Sequence, residues 1–175
     1  MRRKNVNNQI IRECITEALL ILMRKQPFHE ITVMELTKKA GVGRVSFYRN
    51  YDSKESVLVA KLDEEVIKWW GAFTPTSTKD YITAMFEHCL DVKEILILLY
   101  KQRLSHLLIE SINNTFGLLE SDKDEVAYSK ACLSGCVFGV LNEWISRGMV
   151  DTPEKMGTLL SNMQPEIESL VRALL

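Results

Sequence analysis

Sustained alternation of apolar and polar residues is missing from all 175 positions of this chain, which argues against a sheet of half-buried strands. Long apolar runs are missing too. The longest uncharged stretch in the C-terminal half, Ala131 to Asn142, has 12 residues, short of the roughly 20 that cross a bilayer. Cysteine is sparse: Cys14, Cys89, Cys132 and Cys136 make no small disulfide framework, and "MRRKNVNNQ" leads into an amphipathic stretch rather than an apolar leader. The expectation is a reduced, cytoplasmic protein with no membrane partner. No H-E-x-x-H, G-x-S-x-G, phosphate-binding glycine loop or dinucleotide fingerprint occurs, and the carboxylates sit on solvated helix faces. The chain is therefore expected to be no enzyme and to use no cofactor.

Hydrophobic residues make up 46% of the chain, ample for a core. The formal net charge of -1 hides a division. Residues 1–61 hold 12 Lys or Arg against 6 Asp or Glu, net +6, and residues 62–175 hold 10 against 17, net -7. Only the front suits a polyanion.

Apolar residues recur at three and four almost everywhere, so the fold class is all-α, with about nine helices. Ile11, Ile15, Ala18, Leu19 and Leu22 stripe a first helix running to about Lys25, where Pro27 stops it. Leu58, Leu62, Val66 and Trp69 stripe a helix of about 17 residues that reaches about residue 70. The Gly-, Pro-, Ser- and Thr-rich "GAFTPTSTKD" then marks a boundary. It divides residues 1–61, whose last helix runs on to about 70, from a helical domain over 71–175. Further helices are expected at Lys79–Asp91, Glu94–Arg103, Leu104–Leu119, Glu125–Arg147 and from Thr152 onward, with Pro153 at its favoured first-turn position.

Thr32 and Glu35 have the spacing of a capping box, flanked by Ile31 and Leu36 at hydrophobic-staple positions. The helix they start ends at Ala40, because Gly41 can close it left-handed and Gly43 can cap the next. Two short helices on a tight turn make a helix-turn-helix. In the second, Arg44 to about Asn50, Phe47 and Tyr51 share one side and can anchor it, leaving Arg44, Val45, Ser46, Tyr48 and Arg49 outward. Arginine can bind guanine edges, Val45 can meet thymine methyls and hydroxyls can reach phosphates, so this face suits a major groove. Asp52 and Glu55 read as a second capping box, placing Lys54 in a first helical turn that attracts phosphate.

The segment "ITVMELTKKAGVGRVSFYRNYDSKESVL" resembles the N-terminal signature of the tetracycline-repressor (TetR) family of bacterial transcriptional regulators, with the A-G-V turn, the F-Y pair and the downstream lysine in register. Thr37, Gly43 and Tyr51 depart from the common Ala, Ser and Phe. The resemblance implies a three-helix DNA-binding domain with Thr32, Gly43, Arg44, Val45, Ser46, Tyr48, Arg49 and Lys54 at the DNA, and "MRRK" as a basic arm or a plain terminus. It also implies a C-terminal domain that dimerises and often holds a small molecule.

On the helix over Glu125–Arg147, Ala127, Ala131, Ser134, Phe138, Leu141 and Ile145 make one face, and Leu133, Val137, Val140 and Trp144 another. A helix apolar on two sides needs two partners. With Gly135 and Gly139 allowing close approach and Leu159, Leu160, Met163, Ile167 and Leu170 on the last helix, a two-fold four-helix interface is expected. Trp69, Trp70, Tyr81, Met85, Phe86, Cys89, Tyr100 and Phe116 either line a ligand pocket or fill the core. Cys132 and Cys136 have a metal-capable i, i+4 spacing, with His88, Cys89 and His106 as conceivable additions, but buried small hydrophobes are their ordinary role and no metal is expected. Two function classes follow: a homodimeric repressor released from an inverted-repeat operator by a small-molecule effector, or a regulator whose C-terminal domain docks a protein coregulator. "FGVLNEWISRGMVDTPEKM" resembles regulators that include partner-dependent activators.

Overall fold

The structure, a computed structural model, describes residues 2–72, 78–117 and 123–163, and the side chains of 8–68, 81–117 and 123–163. Nine α-helices and no strand occur among the described residues. They are α1 (Arg2–Met23), α2 (Val33–Ala40), α3 (Arg44–Asn50), α4 (Lys54–Ala72), α5 (Thr78–Asp91), α6 (Lys93–Lys101), α7 (His106–Phe116), α8 (Asp124–Ser146) and α9 (Pro153–Ser161). A 3-10 turn, Phe28–Glu30, joins α1 to α2. No described helix is long and apolar enough to cross a membrane.

The local signals act where the spacing places them. Thr32 Oγ1 accepts from the Glu35 amide at 3.1 Å while Glu35 Oε2 accepts from the Thr32 amide at 2.8 Å, closing the reciprocal box at the start of α2. Ile31 and Leu36, the staple residues, are both buried. Gly41 takes φ 67° and ψ 25°, and Gly43 is the N-cap of α3 with no side chain to offer. Thr37 is buried, and its hydroxyl donates to the Met34 carbonyl at 3.1 Å, so the departure from Ala leaves no unpaired group.

The start of α4 differs from expectation. Ser53 and Ser56 cap it reciprocally, each side-chain oxygen accepting from the other's amide at 3.1–3.2 Å, rather than Asp52 and Glu55. Both pairs have the same spacing, and serine's shorter side chain holds its oxygen closer to the backbone it must reach.

The head, α1 to α3, packs chiefly on itself and on α4. In the remainder, α4 packs on α7, α7 on α8, and α5 on α9. Ile15, Leu19, Leu36, Phe47, Val57 and Leu58 are buried in the head, and Phe86, Leu99 and Leu107 in the body. Trp144 and Phe86 meet edge to face with centroids 4.8 Å apart, and the Trp144 indole N–H donates to the Asp151 carbonyl at 3.0 Å, tying the α8–α9 turn down. That turn runs through left-handed Gly148 and Met149.

Candidate nucleic-acid interface

Only seven residues make up α3, too few to hold a helix by backbone bonding alone. Its position comes from two rings one turn apart. Phe47 is fully buried and Tyr51 nearly so, with centroids 6.1 Å apart. Arg12 of α1 lies 5.0 Å above the Tyr51 ring, so a cation of the first helix packs on the residue that ends α3.

With that side fixed, the opposite side is determined by the 100° step of the helix. Arg44, Val45, Tyr48 and Arg49 are exposed and together line a shallow surface depression, and Ser46 is half-buried. Val45 is 71% exposed and Tyr48 50%, although both are largely apolar. The Arg44 guanidinium sits over the Tyr48 ring, 5.7 Å from its centroid, and the Phe47 and Tyr48 rings meet edge to face with centroids 5.2 Å apart, so the exposed phenol is braced from within the fold. Lys38 and Lys39 add exposed cations in the last turn of α2. No acidic residue lies in the first turn of α3, so nothing there repels an approaching phosphate.

Residues 15–60 match the sequence model of the family described as bacterial regulatory proteins, tetR family. Over these residues the chain is similar to the DNA-binding segment of TetR-family regulators. Among solved structures, the chain is similar to the "Dihydroxyacetone kinase operon activator DhaS", with a TM-score of 0.54 and 14% identity, over 87% of this chain and 93% of that one. At that identity the likeness shows the fold. A comparison with curated protein sequences finds no match.

Within this TetR-type head, Thr32 is exposed at the N-terminus of α2, with its hydroxyl also donating to Glu35 Oε2 at 2.8 Å. The Thr32 backbone N–H, then its hydroxyl, hold the Glu35 carboxyl below the usual carboxylate range. A depressed carboxyl stabilises the fold above its unfolded pKa, and that contribution disappears as pH falls through the folded one. Titration of the Glu35 carboxyl followed by NMR is therefore expected to show a midpoint below that of glutamate in an unfolded peptide, with the Thr32 amide shifting at the same pH. A midpoint at or above the unfolded value would contradict the box.

Lys54 does something its position in the sequence did not announce. Its ammonium donates to the carbonyls of Phe28 and Ile31 and lies 4.4 Å from the Phe28 centroid, and burial pushes its pKa down. Two of its three N–H groups are thus turned into the fold, where they close backbone acceptors on both sides of the 3-10 turn. An external phosphate would have the third.

The residues expected either to line a ligand pocket or to fill the core are buried or half-buried where their side chains are described. Phe86 and Cys89 are buried in the core, where Cys89's thiol is pushed up to about 12 by burial, and Tyr81, Met85, Tyr100 and Phe116 are half-buried. The Tyr100 hydroxyl donates to Asn142 Oδ1 at 2.7 Å, joining α6 to α8. The side chains of Trp69 and Trp70 lie outside the described residues. Cys132 and Cys136 are exposed on α8 rather than buried, because the helix turns their face away from α7. Among the described residues, no three His, Cys, Asp or Glu side chains group to hold a metal ion.

The expected dimer face also divides. Ser134, Leu141 and Ile145 are buried within the protomer and belong to its core, whereas Ala131 and Gly135 are exposed and Ala127, Phe138, Leu160 and Met163 are half-buried. Ile167 and Leu170 lie outside the described residues. The free face of α8 is instead Tyr128, Cys132, Gly135 and Gly139, spaced four, three and four apart, with Tyr128 74% exposed.

Proposed function

We propose that the protein is a homodimeric repressor that reads an inverted-repeat operator, with one α3 in each of two successive major grooves, and leaves the DNA when a small-molecule effector binds its C-terminal domain. In this reading residues 1–61 are the DNA-binding domain, with α4 continuing from it to about 70. Residues 71–175 regulate and dimerise, and the protein works in the cytoplasm beside its DNA. The observation that carries it is the outward set Arg44, Val45, Tyr48 and Arg49 on a helix pinned from behind by Phe47 and Tyr51. Cations and a small apolar side chain presented together are what base edges require. The free face of α8, with Gly135 and Gly139 at its centre, supports a close two-fold contact. Heads so paired must lie about 34–36 Å apart, or a multiple of it, to meet successive grooves.

A second reading, in which a protein coregulator rather than a metabolite sets the output, draws on the close packing of Phe86, one of the residues weighed for a pocket, against Trp144.

Selection of binding sites from a random DNA pool tests the first reading. An inverted repeat should emerge, and Arg44→Ala should weaken binding by about 1–3 kcal/mol while relaxing preference at one base pair of each half-site. Arg49→Ala, if Arg49 contacts phosphate, should weaken all sequences alike and lower the salt slope by about 1. Failure to enrich any sequence at low salt would remove the proposal.

A further inference from the structure

Between α1 and α2 most amides bond to nearby carbonyls, but the carbonyls of Met23 and Gln26 and the amide of Phe28 do not find a partner among their chain neighbours. Helix α1 ends at Met23 with carbonyls beyond reach of its own amides, and the 3-10 turn opens at Phe28 with an amide that no helical partner can meet. A single side chain from the other half of the molecule closes three of these groups. Gln102, the C-cap of α6, donates through Nε2 to the carbonyls of Met23 at 2.6 Å and Gln26 at 3.2 Å, and its Oε1 accepts from the Phe28 amide at 2.8 Å. Both amide protons and the amide oxygen are engaged, so the group has one orientation.

We propose that Gln102 is the positioning residue that sets the angle of the DNA-binding head on the body. The main helix packing of α1, α2 and α3 is with one another and with α4, so the head reaches the body chiefly through α4 and through this amide. Helix α4 has its own polar tie, Asp63, which accepts from Ser111 Oγ at 2.6 Å and Asn114 Nδ2 at 3.0 Å on α7. A body held at one point can swing, and a second tie off that axis fixes it. Gln102 is that second tie. Its hold passes inward to the reading unit, because Phe28, whose amide it accepts, is also the residue whose ring and carbonyl engage the Lys54 ammonium, and Lys54 bonds in turn to Ile31, just before the cap of α2. An exposed Arg24–Glu94 ion pair at 3.1 Å lies alongside, between the end of α1 and α6, too solvated to fix an angle alone. The residue after Gln102, Arg103, sits at φ 59°, a left-handed conformation that a non-glycine residue holds only where its surroundings impose it.

The inference rests on the homodimer reading for its effect on DNA. Two heads rigidly set on one dimer prefer one half-site separation, and loosened heads accept several at lower affinity, because the second contact then occurs at a lower effective concentration. The test uses the full chain and duplexes carrying the selected half-sites, with their separation stepped one base pair at a time. Gln102→Met, which keeps the length and removes all three bonds, should lower affinity at the best separation by about tenfold and flatten the profile, leaving a single half-site bound as before. Gln102→Glu, which keeps the acceptor but turns lone pairs toward two carbonyls, should do the same. Equal weakening at every separation, or an unchanged profile, would overturn the proposal.

Amide hydrogen exchange gives a readout that needs no DNA and separates this idea from the dimer reading. In Gln102→Met, faster exchange should spread from Phe28 to the first turn of α2, with α8 unchanged. Acceleration confined to Phe28 itself, or uniform across the chain, would equally overturn it, whereas a wild-type protein that selects no DNA would count against the function proposed above and leave the exchange result to decide this one.

Discussion

Phe47→Ala is expected to destabilise the protein by about 3–5 kcal/mol and to abolish DNA binding at 25 °C. Phe47 is fully buried, edge-on to Tyr48 and tilted against Tyr51, and its amide donates to the Gly43 carbonyl at 3.1 Å to open α3. Removing the ring leaves a cavity beneath a helix of seven residues that has no side-chain cap of its own. For a chain of this length the loss corresponds to a fall of roughly 6–20 °C in thermal midpoint, readable by circular dichroism. Phe47→Leu, which refills most of the volume, should recover over half of the stability yet less of the DNA affinity, because the edge contact that braces Tyr48 is lost. A loss under about 1 kcal/mol for Phe47→Ala would mean that α3 is held by something other than this ring.

If the protein pairs through α8 as proposed, Gly135→Arg is expected to leave it monomeric without unfolding the protomer. A Cβ built at Gly135 meets nothing within 4 Å, and the residue lies on the exposed face of α8, so the protomer has room for the side chain. Replacing a mid-helix glycine by arginine also favours the helix by up to about 1 kcal/mol. Across a two-fold axis, however, the same substitution brings two guanidinium groups into a contact that needs close backbones. Sedimentation should show the monomer mass, and affinity for the inverted repeat should fall by about a hundredfold as the second head is lost. Retention of the dimer would move the interface away from this face, and a monomeric wild-type protein would remove the homodimer altogether.

Several elements were legible in the sequence because the signals that specify them are local. The box at Thr32 and Glu35, the left-handed Gly41 and the opposed pair Phe47 and Tyr51 each act within four residues, and all form. Gly43 as a cap likewise gave α3 its start, and proline's first-turn preference placed Pro153 at the first position of α9, where Thr152 caps it. Even locally a choice was open at α4, where two overlapping pairs had capping-box spacing and the serines formed it.

On α8 the period alone was insufficient. It identified a helix apolar on two sides, but which side faces α7 depends on how α7 is laid against it. The packing turned Ser134, Leu141 and Ile145 inward and left Cys132, Cys136 and Gly135 outside. The choice between pocket and core met the same limit: aromatic side chains on separate helices enclose a space only when their helices stand apart, and the period does not say where they stand; Phe86 lies against Trp144.

By itself the sequence determined an all-helical chain with a cationic helix-turn-helix at its front, since caps, breakers and periodicity operate over one or two turns. Tertiary structure decided which hydrophobic faces are interior, why Lys54 turns inward, and that Gln102 grips a loop 74 to 79 residues earlier in the chain. Contacts across that separation leave no periodic trace, because they depend on where whole helices come to rest and not on the residues beside them.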